Sequence, residues 1–343
     1  MRPLIFLFVA ACAMKSGGEK DASSLSSSSR FERLEEGEDF PISGAQGFDT
    51  RFGYLTASEN RGDPRSREIR LPVAIVKAKN ARKGAAPVLY LAGGPGLSGL
   101  NAAAYPGAYP WTDDRDFIVM SQRGTAGAEP VLDCPGIGDA LVEARSGDQA
   151  LAVETARACR QRLVDVGVDL SAYHSAASAA DIEDLRKALG VDQLSLYAVS
   201  YGTRLALTFA RDFPDSVASM VLDAPLPHTA RYDDQSVDNF EAALRRVAAA
   251  CDSQSACHDT YPELEARFFN AIEEAKTSPW FIVDEKGSET RIEARDLARL
   301  PRLDRRADVA AAPYWMDAVA RRDEAAIVRR LEGAARRRPC RRR

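Results

Sequence analysis

The run Leu194-Ser195-Leu196-Tyr197-Ala198-Val199 reads as a strand, and Ser200 follows it directly, with Tyr201-Gly202 opening a helical stretch. A serine held between a strand and a helix sits on a sharp turn that lifts its hydroxyl clear of the backbone, the setting of a nucleophile elbow. The flanking positions must be small. The common pattern is Gly-x-Ser-x-Gly, and Ala198 stands where its first glycine falls. The other role for a serine here is a plain helix N-cap. A second run, Leu91-Ala92-Gly93-Gly94-Pro95-Gly96, closes another apolar segment about a hundred residues upstream, where this kind of sheet carries its oxyanion loop. Glycines there let backbone N–H groups approach a developing negative charge; a bare turn is the simpler reading. A third element, Ser121-Gln122-Arg123-Gly124-Thr125, follows the next strand-like run.

A serine hydroxyl needs a proton acceptor, normally histidine, and the order along the chain for this turn is Ser, acid, His. The chain has only three histidines. His174 precedes Ser200 and reads as a helix start, and His258 lies beside two cysteines. His228, after the run that ends at Leu222, is the one candidate base in a plausible place, although a loop histidine is its simpler role. Asp223 can act as an acid after that run or make a turn contact. Asp233, Asp234, Asp238 and Glu241 form an acidic cluster able to hold a substrate ammonium or to line a solvated helix face.

The elements that would position these groups alternate. Phe52–Leu55 and Glu68–Lys77 read as strands, with Pro72 moving part of the second towards an edge. Pro87–Ala92 is continuously apolar, as in a strand buried on both faces of a parallel sheet, and Asp116–Met120 repeats the pattern. Leu151–Val166, Ala179–Leu189 and Tyr201–Phe213 are helical, and Gln193–Val199 and Val217–Leu222 are strands. From about Pro225 the strand rhythm gives way to helical segments at Ser236–Ala250, Tyr261–Lys276 and Arg305–Leu331. This pattern is α/β, a doubly wound sheet.

With 343 residues, 45% hydrophobic, 28% charged and a net charge of −4, the chain can build a large core and is not expected to bind nucleic acid. Arg2 and the apolar run Leu4–Ala11 fit a secretory signal. Val9-Ala10-Ala11-Cys12 resembles a bacterial lipobox, with Cys12 as the lipidated residue, and the serine-rich stretch to about residue 45 reads as a tether. Any membrane attachment would then run through the lipid alone. Six cysteines suit an oxidising compartment. Cys134 with Cys159 and Cys251 with Cys257 form two local pairs, for which buried free thiols are the alternative. No zinc-like cysteine and histidine quartet occurs, so neither metal nor cofactor is expected. The end, from Ala334 to Arg343 with Cys340 inside it, has no apolar periodicity. It reads as a basic tail, the product of a frameshift or truncation.

The motifs Gly93-Gly94-Pro95-Gly96, Gln122-Arg123-Gly124-Thr125 and Ser200-Tyr201-Gly202-Thr203, in this order, resemble the proline iminopeptidase and tripeptidyl aminopeptidase family of α/β-hydrolases. Asp181-Ile182-Glu183-Asp184-Leu185-Arg186 and Val221-Leu222-Asp223-Ala224-Pro225 support the resemblance, as do the cysteine pairs of the secreted branch. It implies a serine exopeptidase acting at free peptide N-termini, with Ser200 as nucleophile and the Tyr201 and Gly94 N–H groups as oxyanion hole. It departs at Ala92, where the family has His, and at Ser121, where it has Asp. It further implies a core over 46–225, a helical cap over 226–331, and an acid and a histidine on last core strands that are missing here. An exported, inactive or weakly active chain follows, taking a peptide or small acyl substrate. An ester hydrolase and a non-catalytic, surface-anchored remnant are the alternatives.

Overall fold

A computed structural model describes residues 29–35, 38–144, 149–283, 289–303 and 305–336. The expected signal and lipobox through Cys12, and Cys340 in the expected basic tail, lie outside them. The chain divides into two compact units at Thr229/Ala230.

The first unit is built on seven strands: β1 Arg30–Arg33, β2 Thr50–Ser58, β3 Glu68–Val76, β4 Val88–Leu91, β5 Phe117–Met120, β6 Leu194–Val199 and β7 Val217–Asp223. Their order across the sheet is β1-β2-β3-β5-β4-β6-β7. Neighbours are antiparallel from β1 to β5 and parallel from β5 through β4 and β6 to β7. The crossovers carry α1 Ile137–Glu143, α2 Ala150–Asp165, α3 Ser175–Ala188 and α4 Tyr201–Asp212. One sheet face buries Leu89, Leu91, Leu196 and Ala198 against Ile182 and Leu185 of α3 and Leu205, Ala206 and Phe209 of α4. The other face packs Val88, Phe117 and Val119 under the 3-10 turns of residues 100–113, with Tyr90, Tyr109, Trp111 and Tyr197 around them. β4 and β5 are buried on both faces, as their unbroken apolar runs require.

Two expectations need correction. Pro72 is not at a sheet edge, because β3 lies between β2 and β5. The β5 ladder reaches only to Val73, so the N–H that Pro72 lacks is not needed, while its carbonyl accepts the Ser121 N–H at 3.0 Å. Part of the stretch expected to be a tether up to residue 45 is structured. Arg30–Arg33 pairs with β2, and the Phe40 ring lies 4.5 Å from that of Phe52. Two aromatics, Phe31 and Phe40, anchor a stretch whose composition is otherwise that of a linker.

The second unit holds α5 Tyr232–Asp252, α6 Ser255–Thr260, α7 Leu264–Thr277, α8 Ala294–Ala298, α9 Arg306–Ala320 and α10 Glu324–Arg336. Phe268, Leu297, Met316 and Ile327 form its centre. It is not wholly helical: β8 Trp280–Val283 and β9 Glu289–Ile292 pair antiparallel. Trp280 and Ile282 point into the core and Phe281 and Val283 point outward, the alternation of a half-buried strand. Disulfides join Cys134 to Cys159 in the first unit and Cys251 to Cys257 in the second, with Cα–Cα distances of 5.4 and 5.1 Å. Among the described residues no helix is long and apolar enough to cross a membrane.

Candidate active site

Ser200 stands between the end of β6 and the first residue of α4 with φ 54° and ψ −122°. This is a conformation that costs an L-residue of order 1–3 kcal/mol and persists only where the surroundings fix it. Three contacts fix it here. The Ser200 N–H donates to the Asp223 carbonyl at the end of β7, at 2.8 Å. The Ser200 carbonyl accepts the Thr203 N–H at 2.9 Å and the Thr203 hydroxyl at 2.6 Å. The Thr203 Oγ1 in turn accepts the Leu226 N–H at 2.7 Å, tying the chain after β7 to the same turn. Ser200 makes no side-chain cap bond to α4, so the N-cap reading fails.

The small residues around the turn have steric reasons. A Cβ on Gly202 would meet the Leu91 carbonyl carbon at 2.7 Å and its oxygen closer still. A Cβ on Gly93 would lie 3.0 Å from Ser200 Cβ, 3.1 Å from the Val199 carbonyl and 3.5 Å from Ser200 Oγ. Gly94 has φ 111°, and a Cβ there would strike Gly96 N and Leu97 N, within its own loop. The glycine loop therefore abuts the serine through Gly93, while Gly94 provides the bend. The resemblance assigns the oxyanion N–H to Gly94; the close steric approach to Ser200 is made by its neighbour Gly93. The Gln122 amide donates to the Ala92 carbonyl at 3.2 Å and anchors this loop. The Tyr201 hydroxyl bonds Ser175 Oγ at 2.8 Å, which turns its ring towards the start of α3.

The remaining motifs form scaffolding. Arg123 is buried, binds both oxygens of Asp181 at 2.7 Å, and donates to the carbonyls of Glu59 and Ala172 at 2.6 and 2.7 Å. Arg61 binds Asp181 and Asp184, each at 2.6 Å. Glu183 pairs with Arg186 at 2.7 Å and accepts the Ser216 hydroxyl at 2.8 Å. Burial pushes the Glu183 carboxyl up, but Arg186, Ser216 and Lys187 outweigh it and hold it below the ordinary range. Ser121, fully buried, donates to the Ala126 carbonyl at 2.9 Å and bonds Ser98 at 2.7 Å, bracing the turn with a short hydroxyl.

None of the histidines is hydrogen-bonded to Ser200. His228 is held through Nε2 to Thr208 Oγ1 at 3.0 Å, two turns along α4 from Ser200, which removes it as the base. His174 caps α3, accepting the Ala177 N–H at Nδ1, and His258 Nδ1 faces Asp252 at 2.7 Å in the second unit. Among the described residues Ser200 Oγ has no hydrogen-bond partner. The Asp223 carboxylate lies 3.3 Å from the Tyr197 hydroxyl; burial first and Asp223 second raise that phenol's pKa. In the acidic cluster Asp234 pairs with Arg231 and Glu241 with Arg245 on the exposed surface of α5, which is the solvated-face reading.

Sequence comparison gives this geometry relatives. Over 199 residues the chain is 31% identical to YuaR, named a hydrolase, of Escherichia coli strain K12, covering 57% of this chain and 37% of that one. It is 28% identical to the serine protease Hip1 of Mycobacterium tuberculosis strain H37Rv, over 48% of this chain and 35% of Hip1. It is 30% identical to the tripeptidyl aminopeptidase of Streptomyces lividans, over 50% of this chain and 34% of the relative. The chain thus spans about a third of the length of the curated relatives it matches. A solved proline iminopeptidase from Mycobacterium smegmatis superimposes with TM-score 0.36 at 16% identity, over 73% of this chain and 64% of that one. The model of the alpha/beta hydrolase fold family matches residues 86–271, more than half of the chain and inclusive of the glycine loop, Arg123 and Ser200, so the chain belongs to the α/β-hydrolase family.

Proposed function

We propose that the chain is a serine hydrolase that releases residues from peptide N-termini through an acyl-enzyme on Ser200, and that by itself it turns over little or no substrate. The observation that carries the reading is the strained Ser200 turn with Gly93 packed against it. In the reaction Ser200 Oγ attacks the scissile carbonyl as its proton passes to a base. The oxyanion takes N–H bonds from Tyr201 and from Gly94 in the glycine loop, and the proton then goes to the departing amine. Water cleaves the acyl-enzyme by the same route. Relatives named as a serine protease and a tripeptidyl aminopeptidase support the peptide substrate and the N-terminal specificity.

The test compares tripeptidyl- and aminoacyl-naphthylamides with short acyl esters, using the chain as it stands and Ser200→Ala. Turnover at the background of Ser200→Ala is expected. Robust peptide turnover abolished by that substitution would show that the chain carries its own base. Ester turnover without peptide turnover would favour an ester hydrolase. A second reading, a non-catalytic binding protein, draws on the unpartnered Ser200 hydroxyl; it requires that Ser200 stay unreactive even when a base is provided. Export with a lipid on Cys12 completes the proposal, and the two disulfides support it. Labelled palmitate should enter the protein in a bacterial host and be lost on Cys12→Ala; equal labelling of the variant would rule it out.

A further inference from the structure

Thr203 Oγ1 meets two backbone groups, and their chemistry fixes its proton. The Ser200 carbonyl, at 2.6 Å, can only accept, and the Leu226 N–H, at 2.7 Å, can only donate. The hydroxyl hydrogen therefore points to Ser200 and a lone pair to Leu226. Thr203 is fully buried on the first turn of α4, where a threonine hydroxyl reaches back to the carbonyl three residues earlier. Ser200 is held at both of its peptide groups: its N–H by the Asp223 carbonyl, and its carbonyl by the Thr203 N–H and hydroxyl. The second of these has a consequence for the site. The Ser200 carbonyl and the Tyr201 N–H belong to one planar peptide group. A residue that holds the oxygen of that plane also aims its N–H, the donor that the proposed reaction needs at the oxyanion.

Leu226 belongs to a short segment, residues 224–228, that is fastened along α4. Ala224 opens it with φ 54°, a second L-residue in a strained conformation. Pro225 and Pro227 flank Leu226, stiffen the segment and leave the Leu226 N–H as the only one between Ala224 and His228. The Pro227 carbonyl accepts from Arg204 Nη2 at 2.9 Å. Thr208 Oγ1 donates to the Arg204 carbonyl at 2.8 Å, so at 3.0 Å it accepts from His228 Nε2–H. Three successive residues, 226, 227 and 228, are thus tied to Thr203, Arg204 and Thr208 of one helix. We infer that Thr203 is a positioning residue: it aims the Tyr201 N–H by holding the Ser200 carbonyl, and it couples that peptide plane to the 224–228 segment, whose outer anchor is His228. This rests on Ser200 being the nucleophile.

The test uses the full chain and three variants, with two readouts: fluorophosphonate labelling of Ser200 in free imidazole, and amide exchange at Leu226. In labelling, the Oγ–P bond forms, P–F breaks with loss of fluoride, and the Oγ proton passes to imidazole. Charge gathers on the phosphoryl oxygen, which takes the place of the oxyanion. Thr203→Val keeps the branched shape and removes both hydroxyl bonds. It should fold as the parent does by circular dichroism, exchange faster at Leu226, and label about 10-fold more slowly, the scale of one buried hydrogen bond. Thr203→Ser keeps the hydroxyl and should bring labelling back to within about twofold of the parent. His228→Ala frees only the outer anchor; Leu226 should exchange faster, and labelling should slow by less than in Thr203→Val. Parental labelling of Thr203→Val would overturn the inference. So would Thr203→Ser as slow as Thr203→Val, because packing of the side chain would then matter and its hydroxyl would not. Unaltered exchange at Leu226 in His228→Ala would overturn the coupling to the segment. A parent that is never labelled at Ser200, with Leu226 exchange still responding to Thr203→Val, would instead remove the nucleophile reading and leave Thr203 a brace of the fold alone.

Discussion

Replacing Gly202 by alanine tests whether the turn at Ser200 is as tight as the structure shows. The new methyl would sit 2.7 Å from the Leu91 carbonyl carbon, 2.9 Å from the Ala92 oxygen and closer still to the Leu91 oxygen. These are backbone atoms, and Leu91 is paired across the sheet with Ala198. They cannot yield without opening the β4–β6 ladder or lifting the start of α4 off the sheet. Overpacking of this kind costs about 3 kcal/mol. Alanine in place of glycine within a helix returns about 1 kcal/mol. The net loss is about 2 kcal/mol, which for a unit of this size lowers the melting temperature by roughly 4–8 °C. Calorimetry of the two proteins side by side reads this directly, with urea midpoints as a second measure. An unchanged or raised melting temperature would mean that α4 does not start against β4, and that Ser200 is not held on a strained turn.

The other expectations concern the loop and the ion pairs. Gly93→Ala should slow Ser200 labelling by about 10-fold or more, because its methyl presses on Ser200 Cβ and the Val199 carbonyl and touches Oγ; unaltered labelling would place the reacting carbonyl elsewhere. Asp181→Ala leaves the Arg123 guanidinium buried without its carboxylate and should cost about 3–5 kcal/mol, read from the urea midpoint; a loss under about 1 kcal/mol would mean that water reaches Arg123. Glu183 has a lowered pKa in the folded protein, so it binds fewer protons folded than unfolded. Its contribution is complete above the ordinary glutamate value of about 4.3 and is lost as pH falls through the lowered folded value. Glu183→Gln should therefore flatten the acid limb of the stability curve, and an unaltered acid limb would argue against the Arg186 and Ser216 contacts.

The sequence carried the parts of the fold that depend on near neighbours. The unbroken apolar runs of β4 and β5, the strand, serine and helix around Ser200, and the cysteine pairs all stand where local pattern placed them. Elements set by distant contacts were harder to read. β1 has the single apolar residue Phe31 in four, and only its pairing with β2 makes it a strand. The strands β8 and β9 are four residues each among helices, too short to establish a period of two. Pro72 looked like an edge residue because no local signal shows that the β5 ladder stops at Val73. The buried pair Arg123–Asp181 spans 58 residues, so its two halves were visible as motifs but not as partners. His228 was attractive as a base only by position along the chain; its bond to Thr208 turns on which face of α4 it meets.

The most direct measurement is labelling of the unmodified chain by a fluorophosphonate in rising concentrations of free imidazole, with the modified residue identified by peptide mapping. An external base can stand in for the proton acceptor that Ser200 does not have among the described residues. Slow labelling that accelerates with imidazole, maps to Ser200 and vanishes in Ser200→Ala is expected. Labelling that maps to another residue, or that stays absent at every imidazole concentration in a folded protein, would contradict the assignment of Ser200 as a nucleophile.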